Sequence, residues 1–181
     1  MFSLLNILLF TPHSFSLDPE ASMTVVRISQ WIFSKVIKFK DVIIKYWGYP
    51  IEKFDIFTND GFILDLYRIP HGRNETARLP SSSSTPLLLV PGLFASASAF
   101  LLNPPESSPG MYLADAGFDV FIMSNRGTRY GMRHTRLAPS DRDFWKFTID
   151  DYANGDLPVV IDRVLAISGQ HSLNLIAHSQ V

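Results

Sequence analysis

The chain has 181 residues, 46% of them hydrophobic, with 16 lysines and arginines against 17 acidic residues. This composition describes one globular domain rather than a disordered chain, and the balanced charge sets up no field that would draw it to nucleic acid, for which it also carries no motif. The lack of cysteine excludes disulfides, metal-thiolate sites and cysteine nucleophiles together.

Leu4-Leu5-Asn6-Ile7-Leu8-Leu9-Phe10 is a short apolar run that ends near Ser14-Phe15-Ser16, where small residues sit three apart as a signal peptidase prefers. Residues 1–16 read as a signal peptide: the run is too short to span a bilayer comfortably. From Thr24 to Trp47 the chain is apolar, aromatic and basic, with Arg27, Lys35, Lys38, Lys40 and Lys45 opposed only by Asp41. A helix of this composition suits a lipid interface. Its apolar residues are scattered around the helix instead of forming one stripe, which favours packing on the domain.

Phe54 to Thr58 and Phe62 to Arg68 read as two strands joined through Asn59-Asp60-Gly61, because Asp-Gly supplies the positive φ that a tight hairpin needs. Asn74-Glu75-Thr76 is a glycosylation sequon, usable only in the secretory pathway. The stretch from Pro80 to Pro86, with four consecutive serines, reads as a surface loop. The apolar material before it is too small for a core of its own, so residues 17–181 read as one domain.

Leu87-Leu88-Leu89-Val90, closed by Pro91-Gly92, has the pattern of a strand buried on both faces. Met111 to Ala116 reads as a helix ended by Gly117, and Asp119 to Met123 as a second buried strand. Thr148-Ile149-Asp150-Asp151 resembles a capping box with aspartate in place of glutamate. A break is expected near Gly155-Asp156, since Pro158 suits a first helical turn. Val160, Ile161, Val164, Leu165 and Ile167 give the following helix an apolar face, and Gly169 stops it. Ser172 to Ala177 is the next strand. Strands alternating with helices imply a mostly parallel sheet covered on both faces.

Ser179 stands where that last strand should give way to a helix, in Ala177-His178-Ser179-Gln180-Val181. In Gly-x-Ser-x-Gly the glycines permit a sharp turn that exposes the hydroxyl above the sheet. Here alanine and valine replace them, and the β-branched Val181 crowds the place where the next helix passes the strand. A serine in a random His-Ser-Gln context is usually inert; the position after a buried strand of repeated βα units is what makes Ser179 a candidate nucleophile. In this layout one oxyanion donor is a backbone N–H of the first-strand loop, here Leu93, and the other is the N–H after the serine, here Gln180. The acid and the histidine follow the serine in chain order, so both are expected beyond Val181.

The chain's own histidines fit the part of a base poorly. His178 neighbours the serine, and adjacent residues at a strand end point to opposite faces. His134, amid Arg126, Arg129, Arg133 and Arg136, reads as part of a solvated basic loop. Asp150, Asp151 and Asp156 suit helix starts, where negative charge meets the positive dipole end.

Several ordered segments resemble one family, the acid lipases that include gastric and lysosomal acid lipases. They are Asp18-Pro19-Glu20-Ala21, Tyr46-Trp47-Gly48-Tyr49-Pro50, the hairpin from Thr58 to Leu64 with Arg68-Ile69-Pro70-His71-Gly72, and Leu113 to Val120. Asn125-Arg126-Gly127, Asp143-Phe144-Trp145, Asp156-Leu157-Pro158, Gly169-Gln170 and His178-Ser179-Gln180 continue the series. Residues 24–40 stand outside it and look like an insertion. Pro91, where the family has histidine, and Ala177 and Val181, where it has glycines, depart from the pattern.

The resemblance implies an α/β-hydrolase fold: a mostly parallel sheet with an amino-terminal antiparallel hairpin, the chain's last residue lying inside the nucleophile elbow. It implies a secreted or lysosomal ester hydrolase acting on neutral lipids, triglycerides or sterol esters. Ser179 is then the nucleophile, with Leu93 and Gln180 as oxyanion donors. No metal or organic cofactor is expected, since serine ester hydrolysis needs neither.

Overall fold

The computed structural model describes residues 44–73 and 86–179. All belong to one of the two compact units into which the chain divides, residues 39–181. The expected signal peptide, the basic segment of residues 24–40, Asn74, the serine run, Gln180 and Val181 lie outside the described residues.

Two strands, β1 (Glu52–Phe57) and β2 (Phe62–Ile69), form the hairpin expected around Asp60-Gly61. Gly61 takes φ +103 there, a conformation that glycine adopts without a Cβ penalty. Next come β3 (Pro86–Val90), the helix α1 (Pro109–Asp115) and β4 (Asp119–Met123). A two-residue strand, β5 (Arg133–His134), pairs with the start of β2. A short helix α2 (Ile149–Asp151) runs through a π-helical turn, Tyr152–Asp156, into α3 (Leu157–Ser168), and β6 (Asn174–Ala177) completes the described chain.

The capping box forms: the Thr148 N–H donates to Asp151 Oδ2 at 2.6 Å, satisfying an otherwise orphaned donor. At Gly155-Asp156 the helix widens into the π turn and continues, so the expected break is a change of pitch. Gly169 ends α3 in the left-handed conformation, φ 68, and its N–H donates to the Leu165 carbonyl.

The strand order is β1-β2-β4-β3-β6. Parallel pairing joins β3 to β4 and to β6, while β2 pairs antiparallel with both β1 and β4. The continuous apolar run in β3 divides by alternation. Leu87 and Leu89 pack with Val120, Ile122, Met111 and Ala114 on the α1 face, and Leu88 and Val90 pack with Phe121, Val160 and Val164 on the α3 face. Both faces of the central strands are therefore dry, as unbroken apolar runs require. The β6 residues are exposed on the sheet's edge, with Leu175 and Ile176 among the exposed large apolar side chains.

Of the arginines near His134, Arg129, Arg133 and Arg136 are exposed, as a basic loop requires, but Arg126 is not. Arg126 is 1% exposed, and its guanidinium forks onto Asp156 at 2.9 and 2.6 Å and onto Asp60 at 2.5 and 3.2 Å. Its Cζ lies 4.3 Å from the centre of the Phe62 ring, a cation-π distance. Arg133 reaches Asp55 and Asp65 across β1 and β2. Arg126 reads as solvated in the sequence because its acidic partners come from the hairpin and the π turn, far away in sequence. Asp156 likewise makes no side-chain cap for α3; it is fully buried against Arg126.

That burial pushes the Asp156 carboxyl above the ordinary carboxylate range, against the pull of Arg126. Desolvation also works against the Arg126 charge, but hydrogen bonds from Asp156 and Asp60 outweigh it and hold the guanidinium charged. The two directions agree with the physics of a buried pair: the arginine always stays charged, and the carboxylate carries the dehydration cost.

Candidate active site

β3 ends in Pro91-Gly92-Leu93-Phe94. A turn follows, closed by the Ala95 N–H donating to the Gly92 carbonyl at 2.9 Å. Phe94, its third residue, has φ 57, which costs a non-glycine residue about 1–2 kcal/mol. Among the described residues the Leu93 N–H has no acceptor, and the Leu93 side chain is exposed.

β6 brings the serine to this loop. Its register sets Ala177 opposite Val90, and the His178 N–H donates to the Val90 carbonyl at 3.0 Å. The chain then turns at Ser179, which has φ 66. A left-handed serine directly after a parallel strand is the backbone form of a nucleophile elbow, and a strained backbone held by its surroundings points toward function. A Cβ built on Gly92 would lie 2.9 Å from Ser179 Cβ and 3.0 Å from the His178 carbonyl oxygen. Gly92 is thus the residue that lets the first-strand loop and the elbow touch. The sequence marked it as a strand stop; the need for the missing side chain comes from a residue 87 positions later.

Beneath the loop an apolar cavity of ≈ 60 Å³ lies between Val90, Leu93, Met123, Ile149, Tyr152 and Leu157. The π turn supplies one wall. Arg126 holds that turn from behind through Asp156, and the Tyr152 hydroxyl donates to the Arg126 carbonyl at 3.1 Å. Burial raises the Tyr152 hydroxyl above its ordinary pKa.

His178 presents an exposed ring, and among the described residues no hydrogen bond joins it to Ser179. In His134, Nδ1 accepts the N–H groups of Arg136 and Leu137 at 3.0 and 3.1 Å, so the proton sits on Nε2, which donates to the Asp60 carbonyl at 2.9 Å. Both ring nitrogens are occupied in shaping a turn. Asp150 is exposed and Asp151 takes part in the capping box. Among the described residues no group of three or more metal-ligating side chains could hold a metal ion.

One buried side chain at the site stood in the sequence only as part of a family motif. Asn125, 4% exposed, donates from Nδ2 to the Pro91 carbonyl at 3.1 Å and to the Gly92 carbonyl at 3.0 Å. Nothing local in the sequence signals a bond to residues more than 30 positions earlier.

Two family models match the chain: a partial alpha/beta-hydrolase lipase region over residues 41–104 and the alpha/beta hydrolase fold over residues 85–180. The chain belongs to the acid-lipase family of α/β-hydrolases. It is 41% identical over 163 residues to lipase member K of Homo sapiens, covering 90% of this chain and 37% of that protein. It is 41% identical to lipase lipl-3 of Caenorhabditis elegans and 39% identical to gastric triacylglycerol lipase of Bos taurus. Each covers 90% of this chain, and 36% and 37% of the relative. The chain spans little more than a third of the length of these acid-lipase relatives. Among solved structures, an esterase of Pyrococcus furiosus is similar with a TM-score of 0.49 at 15% identity, covering 76% of this chain and 45% of that chain.

Proposed function

We propose that this chain carries the nucleophile of a secreted or lysosomal lipase that hydrolyses neutral lipid esters, triglycerides or sterol esters. Ser179 Oγ attacks the ester carbonyl and passes its proton to a base. The bond to the alcohol breaks, and water then releases the fatty acid from the acyl-enzyme. The N–H groups of Leu93 and Gln180 receive the developing oxyanion, and the apolar cavity beside them takes the start of the acyl chain.

The observation that carries this reading is the left-handed Ser179 after β6, with Gly92 packed so closely against it. No histidine bonds Ser179 among the described residues, so the base and its acid are assigned to further sequence of the whole protein. The relatives' greater length supports that assignment.

A fluorogenic short-chain ester distinguishes the possibilities when offered to the 181-residue polypeptide and to a version extended by the downstream coding region. The extended chain should turn over, and Ser179→Ala should abolish the activity. Turnover that survives Ser179→Ala would refute Ser179 as nucleophile. Robust Ser179-dependent turnover by the 181-residue polypeptide would refute the external base.

The exposed Leu93, Phe94 and Ile149 beside the cavity favour a second reading of the same surface, binding to a lipid interface without turnover. Co-sedimentation with triglyceride emulsions, reduced by Phe94→Asp, would support it.

A further inference from the structure

The first-strand loop is held from below by one side chain. Asn125 follows β4 and is buried, and the two N–H bonds of its amide fork onto the consecutive carbonyl oxygens of Pro91 and Gly92 at 3.1 and 3.0 Å. Both partners only accept, so the amide must present its nitrogen to them. The Gly92 oxygen also takes the Ala95 N–H at 2.9 Å, which uses both of its lone pairs.

The Gly92 C=O and the Leu93 N–H belong to one planar trans peptide unit, in which the two bonds point in opposite directions. Tying the oxygen inward to Asn125 and Ala95 therefore aims the Leu93 N–H outward. Ser179 lies beside this peptide: a Cβ added to Gly92 would stand 2.9 Å from Ser179 Cβ. Asn125 is itself fixed: its carbonyl accepts the Thr128 hydroxyl at 2.5 Å, and Gly131 packs so closely on that carbonyl oxygen that an added Cβ would lie 2.2 Å from it.

We propose that Asn125 is a positioning residue for acyl transfer at Ser179, setting the plane of the Gly92–Leu93 peptide so that the Leu93 N–H meets the developing oxyanion. The proposal rests on Ser179 being the nucleophile. An oxyanion donor works only when it is aimed beforehand at the place where charge will appear.

The chain has no cysteine, so Ser179→Cys introduces a single thiol, whose intrinsic nucleophilicity reduces the need for a histidine. Two reactions of that thiol are compared in the 181-residue polypeptide. With p-nitrophenyl butyrate the thiolate attacks the carbonyl, an oxyanion develops, p-nitrophenolate leaves, and a thioester forms while the thiol proton goes to buffer. With iodoacetamide the thiolate displaces iodide and no oxyanion develops.

The ratio of acylation to alkylation, relative to free cysteine, responds to the oxyanion donors; because Asn125 also lines the apolar cavity, the comparison is repeated with p-nitrophenyl acetate, whose shorter acyl group depends less on the cavity. Adding Asn125→Ala or Asn125→Asp should lower this ratio about tenfold or more while alkylation stays within about twofold. Asn125→Ser, which keeps one donor, should fall between. An unchanged ratio in both donor-less variants would overturn the proposal. So would equal loss of both rates, or loss of soluble protein in both variants, since Asn125 would then serve the fold alone. If the Ser179→Cys chain with Asn125 intact acylates no faster than free cysteine on this scale, the nucleophile reading itself fails, and the proposal with it.

Discussion

Removing Asp156 tests whether the buried Arg126 cluster holds the site's wall. In Asp156→Ala the guanidinium, 1% exposed, would lose its bonds at 2.9 and 2.6 Å and keep only those to Asp60. Breaking a buried pair from one side leaves an uncompensated charge and costs about 3–5 kcal/mol. Asp60→Ala removes a carboxylate that is 48% exposed; water replaces much of what is lost, and the cost should be about 1 kcal/mol. Replacing both partners with apolar residues, Arg126→Met with Asp156→Leu, leaves no stranded charge and should stay within about 1 kcal/mol of the parent in either direction. The order of severity is thus Asp156→Ala first, with the double replacement and Asp60→Ala well behind. Equilibrium unfolding in urea, followed by circular dichroism at low protein concentration, reads the differences. With a slope of about 2 kcal/mol per molar, Asp156→Ala should shift the midpoint by about 1.5–2.5 M. A shift no larger than that of Asp60→Ala would refute the reasoning, because the buried carboxylate would then matter no more than the half-exposed one.

Three further outcomes are expected. Gly92→Ala would place a methyl group within 3 Å of Ser179 Cβ and the His178 carbonyl; the loop must move away, lowering the acylation ratio of the Ser179→Cys chain about tenfold or more, and an unchanged ratio would contradict that contact. Acid should destabilise the fold through Asp55, held below the usual carboxylate range by its hydrogen bonds from Arg133, and through Asp60, where burial pushes upward but bonds from Arg126 and Thr58 prevail. A depressed folded pKa contributes stability above the unfolded value of about 3.9, lost as pH falls through the folded one. Asp156, pushed up by burial, acts in the opposite sense. Urea midpoints should therefore drop below about pH 4, and less steeply in Asp55→Asn with Asp60→Asn; equal slopes would count against these two groups. Finally, β6 presents Leu175 and Ile176 on an edge with no partner strand among the described residues, a template for association. The purified 181-residue polypeptide should self-associate in light scattering, and Ile176→Lys should reduce it; a clean monomer without the substitution would contradict this.

The sequence by itself determined the elements whose causes are local. Asp60-Gly61 fixed the hairpin because only the turn needs a positive φ, Thr148 and Asp151 met as a capping box because they are three residues apart, and Gly169 stopped α3 for the same kind of reason. The unbroken apolar run at Leu87–Val90 announced a strand with two dry faces, and the ordered motifs around it announced the family. Tertiary structure alone decided what those elements do to one another. It placed β4 between β2 and β3 and brought Arg126 to Asp60 and Asp156, 66 and 30 positions away, so that one arginine of a run that reads as solvated became a buried clamp while Arg129, Arg133 and Arg136 stayed exposed. It laid Gly92 against Ser179, and it sent the amide of Asn125 to the carbonyls of Pro91 and Gly92. These pairings leave no local trace, because the free energy that selects them is the burial of two sheet faces at once, a property of the assembled layers and of no single segment.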